Sequence, residues 1–332
     1  MIVRNGKKIR FSTILSTFGN RYDRYCVSGY KKNKSIEEMF VAASKVQGLE
    51  GIELVGGRQV NEENLSHINQ LKSNFGFEIS SIIVDLFSEA VWKKGSFTSV
   101  DETIRKEAIN KVKRYMDIAP ELGCDLVCLW FAQDGFDYVF QSDYIKSWNF
   151  LVNSLKQCAT YRHDVKIGVE YKIKEPRTYN FIANIGKTLS LLSKVGEDNI
   201  GIILDVGHAL CAYENMAESV ALCKFFGDKL FHIHFNDNYR HWDDDMIIGS
   251  VHVPEYLELI YWLKKVNYNG WYSIDIYPYR EEGTDAVNEC IRWLRKLIEL
   301  VDNFDQSEIE RVINSGEGIK SIMLVREMLF GK

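Results

Sequence analysis

Apolar residues along the chain gather into eight short runs: RFSTILST (10–17), GIELVG (51–56), FEISSIIVDL (77–86), CDLVCLWFA (124–132), VKIGVEY (165–171), IGIILDV (200–206), LFHIHFN (230–236) and WYSIDIY (271–277). Each is rich in Ile, Val, Leu and aromatic residues and nearly continuous rather than alternating, the pattern of parallel strands buried on both faces. Amphipathic windows lie between them, such as 35–46, 102–122 and 286–301. Ser35, with Glu38 three residues on, has the spacing of a capping box. Strand–helix alternation at roughly 30–45 residues per unit, eight times, predicts a (β/α)₈ TIM barrel. A doubly wound open sheet is the rival, but no GxGxxG follows the first run. One barrel domain over 1–302 is expected. In the remainder, 303–332, SEIERVI and GIKSIMLVREMLF predict extra helices that pack on the barrel or on another subunit.

Composition narrows the function classes. With 41 basic and 46 acidic residues the net charge is −5, which gives no electrostatic reason to expect nucleic acid or an anionic membrane as partner. The N-terminus does not read as a signal peptide, and no run of about 18 apolar residues occurs. Seven scattered cysteines suggest reduced core thiols and a cytoplasmic location.

The candidate chemistry sits where strands end. Strands 5 to 8 carry Glu170, Asp205, His234 and Asp275 inside or just after apolar runs. A lone buried carboxylate is costly without a partner. Four consecutive strands delivering one group each to the same end of a barrel can instead surround a divalent ion, Mn²⁺, Mg²⁺, Co²⁺ or Zn²⁺. Taken singly, each reads equally well as a helix cap or an ion-pair partner. His232 reads as a core histidine pointing opposite to His234. In HFNDNYRHWDDD (234–245), Asp243 and Asp245 can fold back over His234, and Asp205 with His208 forms D-x-x-H. These residues would make a second metal position or hydrogen-bond the first ligands; the alternative is a solvated acidic turn.

Two aromatic loops suit a sugar face or a flavonoid ring, or else pack the loops down. One follows strand 1 and holds Tyr22, Tyr25 and Tyr30; the other follows strand 4 and holds Trp130, Phe131, Phe136, Tyr138, Phe140 and Tyr144. Gln133, Asp134, Asp137 and Asp143 are candidate hydroxyl binders or bases.

GVEYKIKEPR (168–177) resembles the Glu-Pro-Lys-Pro-x-Glu-Pro-Arg segment of the xylose isomerase-like TIM-barrel family. LDVGH (204–208) and HFNDNYRHWDDDMIIGS (234–250) are similar to its rhamnose isomerase branch. The resemblance implies that Glu170, Asp205, His234 and Asp275 hold a divalent ion, Mn²⁺ first, with Asp205 bridging toward His208, Asp243 and Asp245. It implies that Lys172 polarises a substrate oxygen beside Glu175, and that Glu170, Asp275 and His208 serve proton transfer. Two features depart from the family. Tyr171 and Ile173 replace the prolines around Lys172. Xylose isomerases also carry a His/Asp pair after an early strand for opening the sugar ring; here Asp85 has no histidine near it in sequence.

That gap points to a substrate already bearing a ketone. The catalytic α subunits of bacterial C-glycoside deglycosidases resemble this chain in fold, length and metal pocket. The resemblance implies cleavage of 3-oxo-C-glycosides with a small β subunit as partner. The alternative is an aldose–ketose isomerase or ketose 3-epimerase. Tail helices and aromatic loops make an oligomer the expectation under either reading.

Overall fold

A computed structural model describes residues 3, 4 and 7–331. All eight apolar runs form strands: β1 (Arg10–Ile14), β2 (Leu49–Gly56), β3 (Glu78–Val84), β4 (Leu126–Trp130), β5 (Lys166–Glu170), β6 (Ile200–Asp205), β7 (Leu230–Phe235) and β8 (Trp271–Ile274). They pair in parallel in chain order, and β8 closes on β1 through Trp271 opposite Arg10 and Ile274 opposite Thr13. The result is a closed eight-stranded barrel. Its strands are buried on both faces because helices cover the outside and side chains fill the inside.

The outer layer follows the amphipathic windows. Helices α1 (Ile36–Ala43), α2 (Leu65–Phe75), α3 (Glu102–Glu121), α4 (Tyr144–Ala159) and α5 (Ile185–Val195) cover the first half. The second half carries α6 (Val206–Cys211), α7 (Met216–Phe225), α8 (Val253–Lys265) and α9 (Gly283–Asn303). The Ser35–Glu38 capping box forms as its spacing requires. Two further helices, α10 (Gln306–Ser315) and α11 (Gly318–Phe330), fold back on the barrel, where Ile309 and Met328 join the main core cluster. No helix among the described residues is long and apolar enough to cross a membrane. Six of the seven cysteines are buried and none is disulfide-bonded.

The segment that lost its flanking prolines is shaped by pairing instead. Lys174–Glu175 and Thr178–Asn180 form an antiparallel hairpin, which also pairs with Gly135–Phe136 from the loop after β4. Lys172 N–H donates to the Ile182 carbonyl at 3.1 Å, so the base of this hairpin sits on the barrel rim.

Candidate metal centre

Strand pairing brings the four expected ligands together. Glu170 ends β5, Asp205 ends β6, His234 lies one residue before the end of β7, and Asp275 follows β8. One ligand atom from each falls within 4.8 Å of all the others. His234 Nδ1 stands 3.5 Å from Glu170 Oε1, 3.5 Å from Asp275 Oδ2 and 3.9 Å from Asp205 Oδ2. That nitrogen is buried and makes no hydrogen bond. An orphaned imidazole nitrogen facing three carboxylates fits a divalent cation held by one nitrogen and several oxygens.

Asp205 does two jobs. It is the N-cap of α6, accepting from His208 N–H at 2.8 Å, and Asn236 Nδ2 donates to both of its oxygens at 3.2 and 3.0 Å. The D-x-x-H spacing is therefore that of a cap and its third helical residue. It turns the His208 ring into the pocket, with Nδ1 3.3 Å from Glu170 Oε1 and Nε2 3.1 Å from Asp243 Oδ2. Gly207 is required by this packing. A Cβ there would stand 2.4 Å from Asn236 Oδ1 and 2.9 Å from both Asn238 Nδ2 and Asp243 Oδ1.

The acidic run 243–245 is not a solvated turn. Asp237 anchors its loop by accepting from Val251 N, His252 N and His252 Nδ1, while its own backbone pairs with Met246. Asp244 closes the turn by accepting from Tyr239 N–H at 3.0 Å. Asp243 and Asp245 point inward. Asp243 Oδ2 meets Lys172 Nζ at 2.8 Å, and Lys172 also bonds Glu175. Asp205, His208 and Asp243 form a second cluster able to hold a cation, sharing Asp205 with the first.

Crowding of acids sets the electrostatics. Burial pushes the Asp275 carboxyl up to about 7, with Asp205 and Glu170 adding to the rise and His234 opposing it. Burial likewise raises Asp245 well above the usual carboxylate range, helped by Asp243 and Asp275. Asp243 goes the other way: burial would raise it, but Lys172 and His208 outweigh that. Burial opposes the charge on Lys172, yet Asp243 and Glu175 hold it well above its ordinary value. Burial also opposes a charge on His208, and Asp205 and Asp243 nevertheless raise it to about 9.

These groups open into a cavity of about 420 Å³ lined by Tyr22, Trp130, Lys172, Glu175, Asp245 and Tyr277, among others. A second cavity of about 300 Å³ shares Lys172, Glu175, Trp242 and Asp243 with it and adds Tyr179 and Tyr213. A larger cavity of about 570 Å³ lies at the opposite, N-terminal mouth of the barrel, away from the carboxylates. It is ringed by ion pairs such as Arg10–Glu78 and Lys166–Asp125, which reads as barrel stability rather than chemistry.

Several expected residues lie elsewhere. Asp134 is fully buried and accepts from Ser96 N, Ser96 Oγ, Thr98 N and Thr98 Oγ1, so it latches two loops together and lines neither cavity of this face. Gln133 donates to the Phe87 carbonyl. Tyr138 is exposed beside the Arg177 guanidinium and lines neither cavity of this face. Asp137 binds Arg177 and Thr178, and Asp143 caps α4. Of the aromatic loop after β4, Phe136 and Tyr144 pack with Phe181 and only Trp130 lines the cavity beside the carboxylates. His232 does not point away from His234: residues two apart share a strand face, and both rings bond Glu53.

Sequence reasoning passes over four groups in or beneath this site. Glu53 in GIELVG is a fully buried acid flanked by apolar residues, the same signal that marked Glu170. Arg21 stacks over Tyr277 at 4.1 Å, and burial lowers its pKa. Arg58 pairs with Asp85 at 2.8 Å and lines the pocket, and Asn236 holds Asp205. The two arginines and Asn236 carry no signal in sequence beyond being polar.

A family model described as xylose isomerase-like TIM barrel matches residues 40–297. The xylose isomerase of Thermus thermophilus is 27% identical over 249 residues, which make up 72% of this chain and 64% of that enzyme; the chain thus spans less than two thirds of the relative's length. Among solved structures, a D-allulose 3-epimerase from Methylomonas sp. in complex with D-allulose aligns at TM-score 0.68 and 15% identity, over 89% of this chain and 99% of that one. A 3-keto-D-glucoside 4-epimerase from E. coli aligns at TM-score 0.65 and 17% identity, over 87% and 99%. At such identities the structural likeness speaks for the fold.

Proposed function

Because the chain belongs to the xylose isomerase-like TIM-barrel family, we propose that it is a divalent-metal-dependent sugar isomerase or epimerase that removes a proton from the carbon beside a sugar carbonyl. The observation that carries this reading is the unpartnered Nδ1 of His234 facing Glu170, Asp205 and Asp275. Those four residues would hold the ion, with Mn²⁺ the first choice. Bound there, it would supply a Lewis acid that acidifies the C–H beside a sugar carbonyl.

The protein's own groups divide the remaining work. Glu170 and Asp275, the carboxylates that flank His234 on either side of the site, would take and return the proton. Lys172 stays charged between Asp243 and Glu175, so it donates to a substrate oxygen and stabilises negative charge rather than acting as a base. Trp130, whose ring centroid is 5.1 Å from Lys172 Nζ, walls that ammonium from water. His208, raised to about 9 and so cationic at neutral pH, orients Asp243 against Lys172.

One observation favours the narrower C-glycoside deglycosidase reading. The cavity holding Tyr179, Tyr213 and Trp242 gives an aromatic aglycone room next to Lys172. The absence of a ring-opening histidine agrees with a substrate that already carries a ketone. Asp85 is engaged by Arg58 and Ser88, and His67 lies on the surface against Glu37. The similarities to an isomerase and to epimerases weigh toward sugar interconversion.

The test is activity of the purified chain with Mn²⁺ or EDTA on free ketoses and aldoses, and on 3-oxo-C-glycosides with and without a candidate β subunit. EDTA-sensitive sugar interconversion by the chain alone supports the main reading. Aglycone release that requires the partner would move it to the narrower one. Unchanged rates in EDTA would refute both.

A further inference from the structure

Beneath the carboxylate cluster lies a second polar layer, wholly enclosed by the barrel. Glu53, His232 and His234 are each 0% exposed. Glu53 Oε1 lies 3.1 Å from His232 Nε2, and Oε2 lies 3.3 Å from His234 Nε2. The two imidazoles stand edge to face, ring centroids 5.2 Å apart. Ser81, register partner of Glu53 on β3, donates its hydroxyl to Oε2; Ser273, register partner of His234 on β8, donates to Oε1.

Each oxygen of Glu53 therefore receives one hydroxyl and one imidazole nitrogen. A carboxylate in that position accepts only. With both oxygens so occupied, the acceptors of Glu53 are filled, while Nδ1 of His232 has no hydrogen-bond partner. The Nε2 atoms of both histidines must carry hydrogen to make these bonds.

We propose that Glu53 is a positioning residue for the metal centre, resting on the metal-dependent reading above: by accepting Nε2–H of His234 it leaves the Nδ1 lone pair of that ring facing Glu170, Asp205 and Asp275. The neutral ring has one N–H, so fixing it at Nε2 makes Nδ1 the ligand atom. A carboxylate on the far side of a ligating imidazole also raises its basicity and holds its plane. His232 makes the arrangement stiff. By engaging the other oxygen it keeps the Glu53 carboxylate from turning away, and Ser81 and Ser273 hold it from two further strands.

The inference is tested by Mn²⁺ affinity and by histidine tautomer, neither of which needs a substrate. In Glu53→Gln the side chain is isosteric but neutral, and it carries one acceptor where the network uses two. Mn²⁺ affinity, measured by titration calorimetry or by the spin resonance of the free ion, is expected to fall about 10- to 100-fold. Long-range ¹H–¹⁵N correlation on histidine-labelled wild-type protein loaded with Mg²⁺ is expected to show His234 protonated at Nε2 only. Glu53→Gln binding Mn²⁺ as tightly as wild type, with only its unfolding temperature lowered, would reduce Glu53 to a structural residue and overturn the inference. A proton on Nδ1 of His234 in the loaded wild-type protein would overturn it equally, and that experiment decides the matter should the variant not fold. Wild-type protein that binds no divalent ion would overturn both this inference and the reading on which it rests.

Discussion

Replacing Asp275 by Asn is expected to stabilise the protein while disabling its metal centre. Burial and the neighbouring Asp205 and Glu170 raise this carboxyl from 3.8 to about 7. A carboxyl whose folded value lies above its unfolded one favours folding only while protonated. Its cost begins as pH passes 3.8 and is complete above 7. That interval is worth about 4 kcal/mol at roughly 1.4 kcal/mol per pH unit. At pH 5.5 the same relation gives about 2 kcal/mol. Asn carries no charge at either pH, so Asp275→Asn removes the cost throughout. In EDTA, urea unfolding at pH 8 should show the variant up to about 4 kcal/mol more stable than wild type, and the gap should shrink to about 2 kcal/mol at pH 5.5. With Mn²⁺ at about 100 times its dissociation constant, wild type should regain about 2.7 kcal/mol and the variant much less. A variant no more stable than wild type in EDTA at pH 8, or a gap that does not change with pH, would refute the account of the acid cluster. An unchanged Mn²⁺ response would refute the place of Asp275 in it.

Three further outcomes follow from the same geometry. Lys172→Met should lower kcat by about 10²- to 10³-fold, since it removes the ammonium held against Asp243 and Glu175, while Mn²⁺ affinity stays within a few-fold in calorimetry. Asp134→Ala should leave kcat unchanged but cost roughly 3 kcal/mol in urea unfolding, because the donors of Ser96 and Thr98 lose their acceptor in a buried site. Trp242→Ala, at the wall shared by the two cavities, should raise KM for substrates with a ring beyond the sugar more than for free monosaccharides in steady-state assays.

The barrel was legible because each strand is buried on both faces and so appears as an unbroken apolar run. The clustered acids at the strand ends were legible for a related reason. Glu170, Asp205 and Asp275 interrupt or end such runs, where an acid has no purpose unless something on the barrel rim pairs with it. By that logic Glu53 was equally visible between Ile52 and Leu54. Its partners, however, are ring nitrogens that only pairing across the barrel brings near, so nothing local in sequence marks what it does. His232 was misplaced by an error of parity rather than for want of signal. The loops were a different matter. Asp134 and Asp243 are both loop acids within three residues of an aromatic ring in sequence, yet one turns inward to bind the backbone at Ser96 and Thr98 and the other to meet Lys172. Local sequence gives a loop acid no direction, and the partners of Asp134 lie 36 and 38 residues away along the chain.

The central claim is proton removal beside a sugar carbonyl, and its most direct test is isotope exchange. The Mn²⁺-loaded chain would be incubated with ketohexoses in D₂O and followed by proton NMR. The account predicts loss of a C–H signal next to the carbonyl as solvent deuterium washes in, stopped by EDTA and slowed strongly in Lys172→Met. Product that forms without solvent deuterium would mean that hydrogen passes directly between carbons, and exchange that survives EDTA would mean that the four-residue cluster does not hold the working ion.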